Sequence, residues 1–467
     1  MTRKLVSLAV SGVLAAAAGL APAPAFAQNA EIEALKAQLA ELAAKIETLE
    51  KTQTQTRKTV DEAQATADRT ADVVAQNKAA LSFAGDLRYR NETFDVEHVD
   101  SNRNRDRIRA RFNANFRVND TITGAVGIST GGPDPRSGNQ TFTDQNSRKD
   151  FDLDRAYITW APNASLKITA GKQPYSYTRT GSLFYDNDVN LEGISANYAT
   201  GNFFAGVFYD WLGERALSFS NPTAGTNTDS IMFGGQLGFR IPISDSTRLT
   251  LAGTYMDFDG VQGYNPFFGG SSFGNTTASG VANGCSRTLT SVTNNVATNT
   301  PCLASDFNIV EASADLTTSL GNRPLRFFID YAQNMEALVN PVAQDELDTA
   351  YATGITYGAA SAAKGTWELG LLYQEIQKDA LFGQLLDSDF GDGNTDTKGF
   401  VIRGGYTVAR NWTLNATLFM NELANDVPQT NVVVFNDATP DLYDTVTIPT
   451  IFNRDYMRLQ LDLNFRF

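Results

Sequence analysis

From Phe83 to its last residue, this 467-residue chain alternates apolar and polar side chains with a period of two, in one segment after another. The end shows the pattern most clearly. Met457, Leu459, Leu461, Leu463, Phe465 and Phe467 alternate with Arg458, Gln460, Asp462, Asn464 and Arg466. Successive strand residues point to opposite faces, so each such segment predicts a strand with one greasy and one wet side. Sixteen segments qualify, near 83–95, 105–118, 121–130, 150–160, 165–172, 189–199, 202–212, 230–240, 247–257, 307–317, 325–334, 349–358, 366–376, 398–408, 411–421 and 455–467. Two of them, 150–160 and 307–317, have an ambiguous phase. Tight turns such as Asn119-Asp120, Pro162-Asn163, Thr200-Gly201 and Ala409-Arg410 alternate strictly with long polar loops near 131–149, 173–188, 213–229, 258–306, 377–397 and 422–454.

A soluble sandwich has no reason to sort its loops by parity. An all-β transmembrane barrel of 16 antiparallel strands does, with turns at one end and loops at the other. Hydrocarbon offers no water to an unpaired N–H or C=O, so strands cross it only as a closed sheet. Composition agrees. Past the first residues no uncharged apolar run reaches 18, which excludes a polytopic helical membrane protein. A net charge of −14 excludes nucleic acid as the expected partner, and a single histidine, His98, excludes histidine-based metal or catalytic clusters. No cofactor is expected. Tyr157, Trp160, Tyr209, Trp211, Tyr255, Trp367, Tyr373 and Trp412 are placed at strand ends, where interfacial aromatic girdles form.

Residues 1–27 read as a secretory leader: Arg3 and Lys4, an apolar stretch Leu5 to Leu20, then Ala25-Phe26-Ala27 as a cleavage site. Residues 28–81 carry heptads. Ile32, Leu39, Ile46, Val60, Ala67, Val74 and Leu81 form one seam and Leu35, Leu42, Leu49 and Ala63 the other, interrupted at Gln53 and Thr56. The expectation is a periplasmic coiled coil about 75 Å long at 1.5 Å per residue, followed by the outer-membrane barrel at 82–467. An even strand number puts both barrel ends on the periplasmic side.

Several stretches of 83–467 resemble the putative porin family of Gram-negative outer membranes. These are the arginine ladder Arg107-Ile108-Arg109-Ala110-Arg111, then Thr130-Gly131-Gly132-Pro133, Leu153-Asp154-Arg155-Ala156-Tyr157-Ile158, Gly171-Lys172-Gln173-Pro174, and Phe184 through Gly193. The helix ahead of the barrel is similar in arrangement to that of phosphate-selective porins. The resemblance implies a sixteen-stranded, trimeric diffusion channel for small hydrophilic solutes and ions. The heptads alone lean toward two strands. The resemblance supplies no substrate residues.

The residues themselves supply candidates. Arg105, Arg107, Arg109, Arg111 and Arg117 share one face of their strand. The loop from Gln173 to Asp188, between the fifth and sixth strands, holds Tyr175, Tyr177, Arg179, Tyr185, Asp186 and Asp188. Folded inward, that loop would face the ladder and set a transverse field that governs selectivity. Alternatively, the ladder only pairs with lumenal carboxylates and stiffens the wall. Cys285 and Cys302, in an exported chain, are expected to form a disulfide closing about 17 residues and constraining them by about 3 kcal/mol. The terminal Phe467, with Phe465 and Leu463, is similar to the signal read by outer-membrane assembly machinery. Other partners expected are outer-membrane lipid, further copies of the chain, and peptidoglycan through the coiled coil.

Three motif matches lack their context. Gly127-Ile128-Ser129-Thr130-Gly131 ends a strand with no base near it, and Asp389-Phe390-Gly391 stands without kinase loops. Asp387, Asp389, Asp392 and Asp396 miss the EF-hand spacing and read as solvated loop carboxylates before a calcium site. No enzyme is expected. The rival reading is a structural or adhesive barrel that tethers the membrane to the wall. A gated receptor would need about 22 strands and a plug domain.

Overall fold

The structure, a computed structural model, describes residues 25–97, 102–214, 229–267, 271–278, 290–293, 296–299, 302–340, 343–423, 432–435, 443–446 and 454–467. Residues 1–24 of the expected leader, His98 and Cys285 lie outside the described residues.

One helix, α1, runs over Ala25–Ala80. The seam residues Leu35, Leu39, Leu42, Ile46 and Leu49 are each more than half exposed. Lys36–Glu33, Lys45–Glu41 and Lys51–Glu47 ion pairs lie along its side at helical spacing. Across the polar interruption the helix continues unbroken. There Thr48, Thr52 and Thr56 each donate to the carbonyl four residues back, which satisfies their hydroxyls within the helix.

From Leu81 onward the backbone forms sixteen wall strands. They are β1 Leu81–Val96, β2 Arg103–Arg117, β3 Ile122–Thr130, β4 Phe151–Trp160, β5 Leu166–Pro174, β6 Asn190–Thr200, β7 Phe203–Gly213 and β8 Ser230–Ser244. The second half comprises β9 Thr247–Asp259, β10 Phe307–Leu320, β11 Arg323–Asn334, β12 Thr349–Gly358, β13 Trp367–Ile376, β14 Thr397–Ala409, β15 Trp412–Leu423 and β16 Asp455–Arg466. Each pairs antiparallel with its sequence neighbours, and β1 pairs with β16 from Asp86↔Arg466 to Val96↔Tyr456. The sheet is closed. At the seam, Gly85 N–H donates to the Phe467 carbonyl at 2.9 Å, and Phe467 N–H donates to the Gly85 carbonyl at 3.1 Å.

The outward parity is apolar, as in the row Leu87–Phe465–Trp412 across β1, β16 and β15, where Leu87 and Trp412 are exposed and Phe465 is half-buried between them. Tyr157 departs from the expected girdle. It alternates with the exposed Ile158 and Trp160, so it lies on the lumenal parity. The two phase ambiguities now have causes. In β4, pairing with β3 jumps from Gly127↔Arg155 to Ile128↔Leu153, a bulge that makes Asp154 the extra residue and turns the alternation over. In β10 both faces are apolar, because Phe307 and Ile309 are fully buried on the lumenal parity while Val310 is exposed outside.

What buries them corrects two expectations. The 377–396 connection is not a solvated polar loop. It folds over the lumen and buries Leu381, Phe382, Leu385, Leu386 and Phe390, with Phe382 packed on Phe258 and Phe307 at ring distances of 4.9 and 5.4 Å. Nor is loop length sorted strictly by end: 97–102 at the long-loop end is shorter than 359–366 at the turn end.

Gly85 has no room for a side chain, since a Cβ there would sit 2.5 Å from the Phe467 ring. Replacing Gly85 with Val should destabilise the seam by about 1–3 kcal/mol. This should read as a lower temperature for loss of the compact, heat-modifiable band in detergent gels.

Candidate functional site: an arginine network on the lumenal wall

The register of three adjacent strands assembles the site. Reading across β2, β1 and β16, lumenal residues fall into rows: Arg111–Asp86, Arg109–Arg88–Asn464, Arg107–Arg90–Asp462, and Arg105–Glu92–Gln460. Arg458 sits one row beyond. The period-two ladder of β2 therefore meets a second charged ladder on β1: the outer two rows set a carboxylate against a guanidinium, and the middle two set guanidinium against guanidinium.

Glu92 is the hub. It is fully buried and accepts from Arg458 at 2.5 Å, from Gln460 at 3.1 Å and from Arg105, with Arg90 and Arg107 also close. Arg90 donates both arms to Asp462, at 2.6 and 2.8 Å, and a third bond to Asp389 at 2.9 Å. Arg109 and Arg111 share two carboxylates, Asp86 of the wall and Asp188 of the 175–189 loop, at 2.7–3.1 Å. Ion pairs join Arg90, Arg105, Arg107 and Arg458 to Glu92, Asp389 and Asp462, and Arg109 and Arg111 to Asp86 and Asp188. Arg88 stands in the rows between the two sets without an ion pair among the described residues, which brings the guanidiniums of this wall to seven. Against them stand Asp86, Glu92, Asp188, Asp389 and Asp462, two fewer carboxylates than guanidiniums. Such charges persist in low dielectric only because each is paired or hydrogen-bonded.

The 175–189 loop crosses the barrel interior and is pinned on several strands. Thr178 exchanges two 2.8 Å bonds with Gln236 of β8. Thr180 and Ser182 hydroxyls donate to Asp330 of β11 at 2.7 and 2.8 Å, and Leu183 N–H donates to Gln374 of β13 at 2.8 Å. Phe184 and Tyr185 are buried in the apolar cluster. The 377–396 loop meets it at one place. Asp186 N–H donates to the Leu385 carbonyl, and the Ser388 N–H donates to Asp186 Oδ2 at 2.8 Å.

The loop carboxyls divide sharply. Burial would raise Asp188, but Arg109, Arg88 and Arg111 outweigh it and hold the carboxyl below the usual range. Asp389 is held far below in the same way, because Arg458 and Arg90 override burial. Asp186 and Asp387 go the other way. Burial, then Asp387 and Asp188, push Asp186 well up, and burial with Asp389 pushes Asp387 to about 6. A cavity of about 300 Å³ lies beside the ladder, lined by Arg111, Asp188, Asp154, Lys172 and the Thr130–Gly132 backbone.

Of the expected residues, Arg105, Arg107, Arg109, Arg111 and Asp188 come together. Arg117 does not; it is exposed at the end of β2. Asp186 faces the neighbouring loop rather than an arginine. Tyr175 is packed on Tyr177 and Tyr185, and Arg179 lies over its ring at 4.2 Å and donates to the Tyr185 carbonyl. The sequence reading missed Asp86, Arg88, Arg90 and Glu92, although their period-two spacing in β1 signals a second ladder. Asp389 carried no such signal; it was expected to be solvated and is an ion-pair partner instead. Among the described residues no group of three or more acidic, His or Cys side chains could hold a metal ion. Cys302 is buried and disulfide-bonded.

A family model described as "Putative porin" matches residues 51–436. Among solved structures, the chain is similar to OprB of Pseudomonas putida (12% identity, 85% of this chain and 97% of that one, TM-score 0.48). It is also similar to the trimer form of OmpT, an outer membrane protein of Vibrio cholerae (13%, 83% and 99%, TM-score 0.41). A mutant of the Rh. blastica porin gives 10% identity, 83% and 100% coverage, and a TM-score of 0.39. A search of the curated proteins finds no match.

Replacing Glu92 with Gln removes the carboxylate from several guanidiniums at once. It should cost about 3–5 kcal/mol, seen as a lower urea midpoint for loss of β-structure by circular dichroism. The junction of the two loops should weaken with rising pH. Asp387 has a folded value near 6, above an unfolded one of about 3.9. Its contribution is therefore complete below about pH 4 and lost as pH rises through 6. Hydrogen exchange over 383–393, corrected for intrinsic rate, should be slower at pH 5 than at pH 7.5, and Asp387→Asn should shrink that difference.

Proposed function

This chain belongs to the putative porin family, and from that premise we propose that it is a passive diffusion channel for small hydrophilic solutes with a preference for anions. Its place as an outer-membrane porin follows from the family and from the closed sixteen-stranded barrel. No bond chemistry is assigned to it. The single observation that carries the anion preference is the surplus of guanidiniums over carboxylates in the lumenal network. Fixed charge at a narrow section, in low dielectric, outweighs distant surface charge screened within about 8 Å. The overall −14 is thus compatible with an anion-preferring lumen.

On this reading the 175–189 loop sets the width, and Asp188 orients Arg109 and Arg111 across it. The exposed heptad seam of α1 lies in the periplasm and joins copies of the chain into a homotrimer, within reach of peptidoglycan. Phe467, Phe465 and Leu463 serve barrel assembly, and the Cys285–Cys302 pair keeps the longest loop compact. A second reading has its own support: the apolar cluster of the two inward loops fills part of the interior, as a tethering barrel with an occluded lumen would require.

Planar bilayers decide. Stepwise ohmic conductance, with a reversal potential in a KCl gradient favouring chloride, is expected for the channel, and silence for the tether. Arg109→Ala with Arg111→Ala frees Asp86 and Asp188 and should move the reversal potential toward cation preference. An unchanged value would remove these residues from selectivity.

A further inference from the structure

Arg88 stands apart in the network. It lies on the lumenal face of β1 opposite Arg109, with no carboxylate within ion-pair distance among the described residues. Its Nε and Nη2 both donate to one neutral oxygen, Asn139 Oδ1, at 3.1 and 2.6 Å. The neighbouring Arg107 donates through Nη2 to the main-chain carbonyl of the same Asn139 at 2.9 Å, and its Nε has no hydrogen-bond partner. Asn139 is 8% exposed, where the 131–150 loop returns to the wall and Gln140 pairs with Ile108.

The Nε/Nη2 edge of a guanidinium matches two oxygens of a carboxylate or phosphate side by side. Here one amide oxygen occupies that edge alone. Charge-assisted bonds are about twice as strong as those to a neutral acceptor. The backbone beside Asn139 is tied independently, because Gly138 N–H donates to Asp188 at 3.3 Å. Displacing the Asn139 side chain would break its bonds from Arg88 and its 3.2 Å bond to Ser137 Oγ, while the ties of Gly138 and Gln140 hold the loop to the wall.

We propose that Arg88 and Arg107 form a lumenal subsite for a small oxyanion, masked by the Asn139 amide, which a passing carboxylate or phosphate displaces. This rests on the channel reading and deepens it by naming the solute chemistry at its wall. The asymmetry of the network supports it: Arg109 and Arg111 are ion-paired with Asp86 and Asp188, whereas Arg88 acts on Asp188 only from beyond ion-pair distance and donates its hydrogen bonds to an amide.

Purified full-length protein in planar bilayers, carrying chloride current, tests it with inorganic phosphate and with acetate. Each should produce saturable block. Asn139→Ala should lower the half-blocking concentration by about tenfold, and Arg88→Gln should raise it by at least about tenfold. The chloride preference should persist in Asn139→Ala, and should weaken only in part in Arg88→Gln, which removes one surplus guanidinium but leaves Arg109 and Arg111 in place. Block by phosphate and acetate alike supports a general oxyanion subsite, and no block by either in the wild type overturns it. Half-block unchanged in both variants also overturns it. Titration calorimetry of phosphate into detergent-solubilised protein reads the same subsite without current. A silent bilayer with Arg88-dependent phosphate binding would therefore fail the channel and leave the subsite standing. Retention of the heat-modifiable band confirms that each variant is folded.

Discussion

Pairing of β1 with β16 is the interaction on which the rest depends. A strand in hydrocarbon can satisfy its backbone only from another strand, and a sheet with an edge leaves a row of unmet N–H and C=O groups at several kcal/mol each. Joining the first strand to the last removes both edges at once. It also brings Arg90 and Glu92 beside Asp462 and Gln460, residues at opposite ends of the chain. The same closure that permits the fold in a membrane therefore builds the charged wall.

Inside, the lumen is divided by chemistry. Over β1, β2 and β16 the wall is ionic, and each guanidinium from Arg105 to Arg111, with Arg88, Arg90 and Arg458, is held by carboxylates, an amide or a backbone carbonyl. Facing β9 to β15, the 175–189 and 377–396 loops bring Phe184, Phe382 and Phe390 onto Phe258, Phe307 and Phe328, and the interior there packs like that of a soluble protein. The loops hold to each other through Asp186, a carboxyl pushed toward its neutral form, and to the ionic wall through Asp188 and Asp389, carboxylates kept charged by arginine. Neighbouring carboxyls thus behave oppositely because one set faces guanidiniums and the other faces buried carboxyls.

Legibility followed periodicity. All sixteen wall strands were visible in the alternation because each lipid-facing position must be apolar, whatever its partner. The signal blurred at 150–160, where a bulge reverses the phase, and at 307–317, where the lumenal face is apolar too. Tyr157 was misplaced for the first of these reasons. The ladder Arg105 to Arg111 stood out as a run of like charges, whereas Asp86, Arg88, Arg90 and Glu92 mix signs and passed as ordinary polar positions. The 377–396 loop looked solvated because its acids are dense in sequence, yet Asp389 is neutralised by Arg90 and Arg458 from distant strands. No local pattern encodes that.

Strand number, lipid-facing parity and the helical heptads can be read from the order of residues, because they answer to short-range rules: side chains alternate every residue in a strand and recur every 3.5 in a coiled coil. Which arginine meets which carboxylate, which loops turn inward, and why Arg88 donates to an amide are set by long-range packing. Those outcomes depend on register between strands and on the energy of burying charge, which a residue acquires only once the barrel has closed around it.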